Sequence, residues 1–297
     1  MARKPKIGLA LGSGGARGWC HLGVLSVLDE IGCHADIIAG CSMGALVGAA
    51  EAGDARAELE AWAMGLTRGT FLKLMDFTLS RGGLVAGKGI ADVLGEWGLD
   101  CDIGDLPRRF VAVATDLQSG REVWLQDGPL LPAVRASVSL PGLFSPQLIE
   151  GKWLLDGGLT NPVPISVARA LGADVIVAVN PNAKPTGRVW VPERGGDLWD
   201  GIVEGLGSIL PDALLGSEPD GPPAPQGTEV VNASIDMLMD YLRRTRLAAD
   251  PPDVMIDVDL SGLSVMSFFQ AEEAIAAGRA AAEAAADDIR KALEAVL

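Results

Sequence analysis

Short apolar runs alternate with helical apolar stripes along the chain. Lys6–Leu11 (KIGLAL), bounded by Pro5 and Gly12, predicts a strand buried on both faces. Beyond a glycine cluster, Trp19–Glu30 carries Leu22, Val24, Leu25 and Leu28 in a helical stripe. Asp36–Ala39 (DIIA) predicts a second buried strand that runs straight into Gly40-Cys41-Ser42-Met43-Gly44. Small-residue helix follows over Ala45–Glu51, and another helix over Arg56–Met64. Strand, turn and helix twice over is the pattern of a parallel sheet with helices on its faces.

The rhythm continues with a strand at Phe110–Ala114, which Glu122–Leu125 pairs across a turn at Gly120. A short helix is expected over Leu130–Ser137, a strand over Trp153–Leu155, a helix over Val163–Leu171 and a β-branched strand over Asp174–Asn180. From Pro181 to about Thr228 the text turns dense in Pro and Gly, with one candidate helix near Asp197–Leu210. We read it as an irregular excursion that is a lid or surface flap, with an inert insertion as the open alternative. Helix over Val230–Leu247, strand over Asp253–Val258 and a long Ala-rich helix over Ala271–Leu297 restore order. The expected organisation is a catalytic core over 6–180, a Pro/Gly-rich insertion or lid over 181–228, and a C-terminal part over 229–297 that completes the same domain.

Charge and composition narrow the function. The 297 residues are 48% hydrophobic and 21% charged, as in an ordinary globular protein, with a formal net charge of -15. That sign argues against a sequence-independent nucleic-acid binder, which needs basic surface to displace counterions. It also weakens broad adhesion to anionic lipid, so any transient membrane-surface contact must be local and apolar. Cys20, Cys33, Cys41 and Cys101 form no C-x-x-C pair and no metal spacing with histidine, which points to reduced thiols in a cytoplasmic protein. No apolar run is long enough for a signal peptide or a membrane span, so a soluble protein, peripheral at most, is expected.

Three motifs carry candidate chemistry. In Gly12-Ser13-Gly14-Gly15-Ala16-Arg17-Gly18 the glycines allow a sharp turn that leaves amide N–H groups facing outward at a helix start, suited to a phosphate or an oxyanion. A dinucleotide fingerprint fails, because Arg17 stands where its third glycine belongs, and no Walker lysine is present. The second motif, GCSMG, has the form G-x-S-x-G of a nucleophile elbow and lies between a buried strand and a helix, where such a turn lifts its serine out. The third, Asp156-Gly157-Gly158 followed by Asn161-Pro162, is a turn or a site depending on what surrounds it.

Both histidines, His21 and His34, precede Ser42. A Ser–Asp/Glu–His order along the chain is therefore unavailable, and the α/β-hydrolase triad is excluded. His21 is expected to pack against or support the glycine loop, and His34 to be exposed at the opposite end of the sheet. If Ser42 is a nucleophile, a carboxylate is the leading candidate for its base.

Taken together, GSGGARG continuing into HLGVL, GCSMG, VATDLQSGREVWL, RASVSLPGLFSP and DGGLTNPVP resemble the patatin-like phospholipases, in particular the bacterial branch similar to the neuropathy-target-esterase catalytic domain. The likeness is strong over Lys6–Asn180 and holds only in outline beyond. It implies a three-layer α/β/α sandwich with a mainly parallel central sheet, patatin-like. It also implies a Ser42–Asp156 dyad working through an acyl-enzyme, and an oxyanion hole from the N–H groups of Gly14 and Gly15 with Ala16 adjacent. Arg17 would hold that loop, and no metal or organic cofactor is required. Ser13 departs from the plant patatins, which carry glycine there.

The implied activity is a serine lipid acyl hydrolase of the phospholipase A or lysophospholipase type, with a lipid or lysophospholipid substrate. A small-ester carboxylesterase or thioesterase with the same dyad is an alternative, as is a non-catalytic regulatory protein on this fold. Thr70–Val85 and Leu140–Phe144 are apolar enough to line an acyl groove, and equally read as core. No oligomeric state is assigned.

Overall fold

The computed structural model of the protein describes residues 4–74, 88–141, 143–184, 187 and 227–296. Eight strands form one sheet: β1 (Ile7–Leu11), β2 (Ile37–Cys41), β3 (Arg109–Asp116), β4 (Glu122–Leu125), β5 (Gln147–Ile149), β6 (Lys152–Asp156), β7 (Val175–Ala183) and β8 (Val254–Asp259). Their order is β5-β6-β3-β2-β1-β7-β8, with β4 paired to β3. The strands β3, β2, β1, β7 and β8 run parallel, whereas β4, β5 and β6 are joined antiparallel at one side.

The helices are α1 (Cys20–Glu30), α2 (Met43–Ala52), α3 (Arg56–Met64), α4 (Arg68–Leu74), α5 (Lys88–Glu96), α6 (Leu130–Ser137), α7 (Ile165–Ala170), α8 (Gly227–Ala249) and α9 (Ala271–Glu294). Alternation along the strands sorts the layers. Leu9, Leu11, Ile38 and Val177 pack with α1, α2 and α9 on one face. Ala10, Ala39, Val111 and Ile176 pack with Val163, Ile165 and Val167 on the other, where Leu247 of α8 joins them. The result is a three-layer α/β/α sandwich, and strands covered on both faces read as the unbroken apolar runs that located them.

Two helices far apart in sequence lie very close. A side chain at Gly23 would run into the backbone of Ile275, and one at Gly278 into the carbonyl of Cys20, so α1 and α9 meet backbone to backbone. Elsewhere the differences from expectation are local. The helix expected from Val163 begins at Ile165, because the prolines at 162 and 164 hold the chain extended before it. The strand expected to stop at Asn180 continues through Pro181 to Ala183, with an irregular register between Asn180 and Ala183. Elements α4, α5 and β5 were not expected; β5 has only three residues, too few to show a period. The candidate helix at Asp197–Leu210 lies outside the described residues, as does nearly all of the 181–228 excursion. Among the described residues no helix is long and apolar enough to cross a membrane.

Candidate active site

Ser42 is the single residue between β2 and α2. Its backbone sits at φ 55° and ψ -123°, a left-handed conformation that costs a non-glycine residue about 1–3 kcal/mol. The surroundings enforce it. A side chain at Gly40 would overlap the backbone of Gly44 and Ala45, and one at Gly44 would overlap the carbonyl of Leu11. The two glycines of G-x-S-x-G therefore let strand, turn and neighbouring strand approach closely enough to pin the serine. Its N–H donates to Ser137 Oγ at 2.9 Å, and that hydroxyl donates to the Val113 carbonyl at 2.6 Å.

Asp156 ends β6, whose pairing with β3 places it opposite Ala114. Ser42 Oγ donates to Asp156 Oδ2 at 2.6 Å, and the Gly158 N–H donates to Oδ1 at 2.7 Å. The Asp156 N–H is held by the Ser139 carbonyl at 3.0 Å, and its carbonyl accepts from Thr115 Oγ1 at 2.9 Å. The carboxyl group is buried, and that burial raises its pKa to about 6 against the lowering effect of the bonds from Ser42 and Gly158. Such a group is a stronger base than an ordinary aspartate and is ionised at neutral pH.

The glycine loop crosses beside this pair. Gly12 and Ser13 donate their N–H groups to Val179 and Pro162, and Arg17 donates its own to Gly14. The N–H groups of Gly14 and Gly15 have no partner among the described residues, and both glycines line the same cavity as Ser42. Ala16, expected beside them, differs: its N–H donates to the Val265 carbonyl at 2.8 Å. With that donor engaged, the loop offers two free N–H groups rather than three. The Arg17 side chain reaches the Leu263 carbonyl through Nε at 2.7 Å and Asn182 Oδ1 through Nη1 at 3.1 Å, which fixes the loop from outside.

His21 is fully buried, with Nε2 2.8 Å from the Gly12 carbonyl. A carbonyl only accepts, so Nε2 carries the proton. Burial lowers its pKa to about 4, so the ring is neutral at pH 7 and supports the loop. His34 is exposed and sits against Asp29, 3.3 Å away.

Ser42 and Asp156 open onto an apolar cavity whose walls include Trp19, Leu46, Trp62, Phe71, Leu143 and Phe144. The expected groove segments contribute Phe71, Leu140, Leu143 and Phe144, while 75–87 lie outside the described residues. Ser137 and Ser139, which hold the backbones of Ser42 and Asp156, were not singled out beforehand. Their signal, the RASVS stretch, shows its purpose only once β3 and β6 are paired.

Residues 9–169 match the family described as Patatin-like phospholipase. An uncharacterized NTE family protein of Mycobacterium tuberculosis is 33% identical over 94% of this chain and 90% of its own length. Lysophospholipase nte1 of Aspergillus fumigatus is 38% identical over 59% of this chain and 12% of its own. Patatin-like phospholipase domain-containing protein 7 of Mus musculus is 36% identical over 59% of this chain and 13% of its own.

Proposed function

The chain belongs to the patatin-like phospholipase family and is a lipid hydrolase, and on that premise we propose that it cleaves carboxylic ester bonds of phospholipids or lysophospholipids with Ser42 as nucleophile and Asp156 as base. The observation that carries the reading is the 2.6 Å bond from Ser42 Oγ to Asp156 Oδ2, formed by a serine held at positive φ at the mouth of an apolar cavity.

In the first step Ser42 Oγ attacks the ester carbonyl carbon as its proton passes to Asp156 Oδ2. The carbonyl oxygen becomes an oxyanion, which the N–H groups of Gly14 and Gly15 receive, each worth on the order of 3 kcal/mol in such a role. Collapse breaks the carbonyl-to-alkoxy bond, and the leaving alcohol takes the proton from Asp156. Water then attacks the acyl-Ser42 carbonyl, again giving its proton to Asp156. The second collapse returns that proton to Ser42 and releases the fatty acid. Asp156 can serve both halves because Gly158 anchors its other oxygen, leaving Oδ2 directed at Ser42.

A fluorophosphonate probe tests the nucleophile. It is expected to label the wild type rapidly and Ser42→Ala not at all, and equal labelling of both would remove Ser42 from the reading. A panel of phospholipids, lysophospholipids and neutral esters, with products weighed by mass spectrometry, then identifies the bond cut.

A further inference from the structure

Arg135 lies in the last turn of α6 and is buried, at 6% exposure. Its Nη1 donates to Ser139 Oγ at 2.9 Å, and its Nη2 donates to the Ser145 carbonyl at 3.2 Å. The guanidinium carbon stands over the Phe144 ring, 5.0 Å from its centre, within the range of a cation–π contact. Ser139 Oγ in turn donates to the Arg135 carbonyl at 2.8 Å. Between the two serines, the N–H groups of Leu143 and Phe144 both donate to the Leu140 carbonyl, at 3.1 and 3.0 Å. One planar cation thus fastens a turn at both of its ends and backs its aromatic residue.

The parts of that turn serve different regions of the site. The Ser139 carbonyl accepts the N–H of Asp156 at 3.0 Å. Leu140, Leu143 and Phe144 belong to the wall of the apolar cavity onto which Ser42 and Asp156 open. Packing alone does not call for a charge here, since desolvating a cation is costly and an apolar side chain of similar size avoids that cost. What a guanidinium supplies, and an ammonium does not, is a rigid planar fork that reaches two acceptors while its face covers an aromatic ring.

We infer that Arg135 is a positioning residue that also determines acyl-chain specificity, because through one turn it fixes both the Phe144 wall of the cavity and the backbone of Asp156. The inference rests on the Ser42–Asp156 reading above and deepens it: the group that shapes the acyl site also keeps the base in register with the nucleophile. Without the guanidinium, Phe144 loses the face that backs it, and Ser139 Oγ loses the donor that holds it. The wall then yields to a bound chain, and water reaches the Asp156 carboxyl more readily.

The test measures kcat/KM for p-nitrophenyl butyrate and p-nitrophenyl decanoate across pH in wild type, Arg135→Lys and Phe144→Leu. In Arg135→Lys the decanoate-to-butyrate ratio should fall about tenfold, and the acid limb should move to lower pH. Burial is what raises the Asp156 pKa to about 6, so a better-hydrated carboxyl titrates lower. Phe144→Leu leaves the hydrogen bonds of Arg135 in place, and should lower the ratio while keeping the limb. A merely structural loss would slow both esters together and move neither readout. A wild-type ratio or a wild-type limb in Arg135→Lys overturns the inference. If Arg135→Lys does not fold, Phe144→Leu decides the wall and Ser139→Ala decides the base, and an unchanged ratio in the first or an unchanged limb in the second overturns it. If the wild type cleaves neither ester, the hydrolase reading has failed instead. The rise in thermal midpoint produced by decanoate, smaller in Arg135→Lys than in wild type, then still decides the wall, and equal rises count against it.

Discussion

Ser137 Oγ accepts the backbone N–H of Ser42 at 2.9 Å and hands its own proton to the Val113 carbonyl at 2.6 Å. A hydroxyl at the end of α6 therefore ties the turn that carries the candidate nucleophile to the strand beside it. The Ser137→Ala variant leaves a buried N–H and a buried carbonyl unpaired, a loss of about 1–3 kcal/mol. We expect a lower thermal midpoint and a kcat reduced about tenfold or more on a soluble ester. A variant with wild-type kcat would mean that the two flanking glycines alone hold the turn.

Asp156 makes a pH prediction with a definite sign. Its pKa is raised to about 6, so kcat/KM should rise with pH through that value and level off above it. His21 is neutral over that range and bonded to Gly12, so His21→Gln should keep the same limb. Loss of the limb in that variant would transfer the titration to the imidazole.

The same shift predicts a stability trend. A carboxyl whose folded pKa lies above its unfolded value costs the fold nothing at low pH, where both states are protonated, and costs it increasingly as pH rises towards and past about 6. The penalty approaches on the order of 2–3 kcal/mol. Replacing the group by Asn removes it, so the thermal midpoint of Asp156→Asn relative to wild type should climb between pH 4 and pH 7. A flat or falling difference would show that the carboxyl is not destabilised by its burial. Turnover should meanwhile be almost lost.

Gly44→Ala should fold poorly or lose about 1–3 kcal/mol or more, because the added methyl overlaps the Leu11 carbonyl. Gly104→Ala, whose new methyl would have no neighbour within 4 Å, is the matched control and should be close to neutral. Equal denaturation midpoints for the two would refute the close-approach account of the elbow.

Leu46 lies one helical turn beyond Ser42 and faces the apolar cavity. Leu46→Phe should shorten the space for an acyl chain by about two methylenes, and the preference for long over short chains should fall about tenfold. Chain-length profiles that superimpose would place the acyl chain elsewhere.

What the sequence disclosed was what is local. The turn at Ser42, the glycine loop and Asp156-Gly157-Gly158 each need particular residues at adjacent positions, so each can be read in place. Ser137 gains its meaning from Ser42, 95 residues away, and nothing beside it in the chain announces it. The engagement of Ala16 is of the same kind: its partner, Val265, belongs to the loop between β8 and α9. The parallel strands were legible because burial on both faces leaves an unbroken apolar text. The pieces α4, α5 and β5 were not, being short or half-exposed.

The glycine loop also has a history in time. Arg17 and its carbonyl partner Leu263 are separated by 246 residues, and Ala16 is fastened to Val265 next to it. During synthesis the loop is made well before the segment that fastens it. Until then the loop lacks the bonds to Leu263 and Val265, although Ser42 and Asp156 are already made. The two free N–H groups of the loop are therefore held in place only after Ser42 and Asp156 have both been joined to the chain.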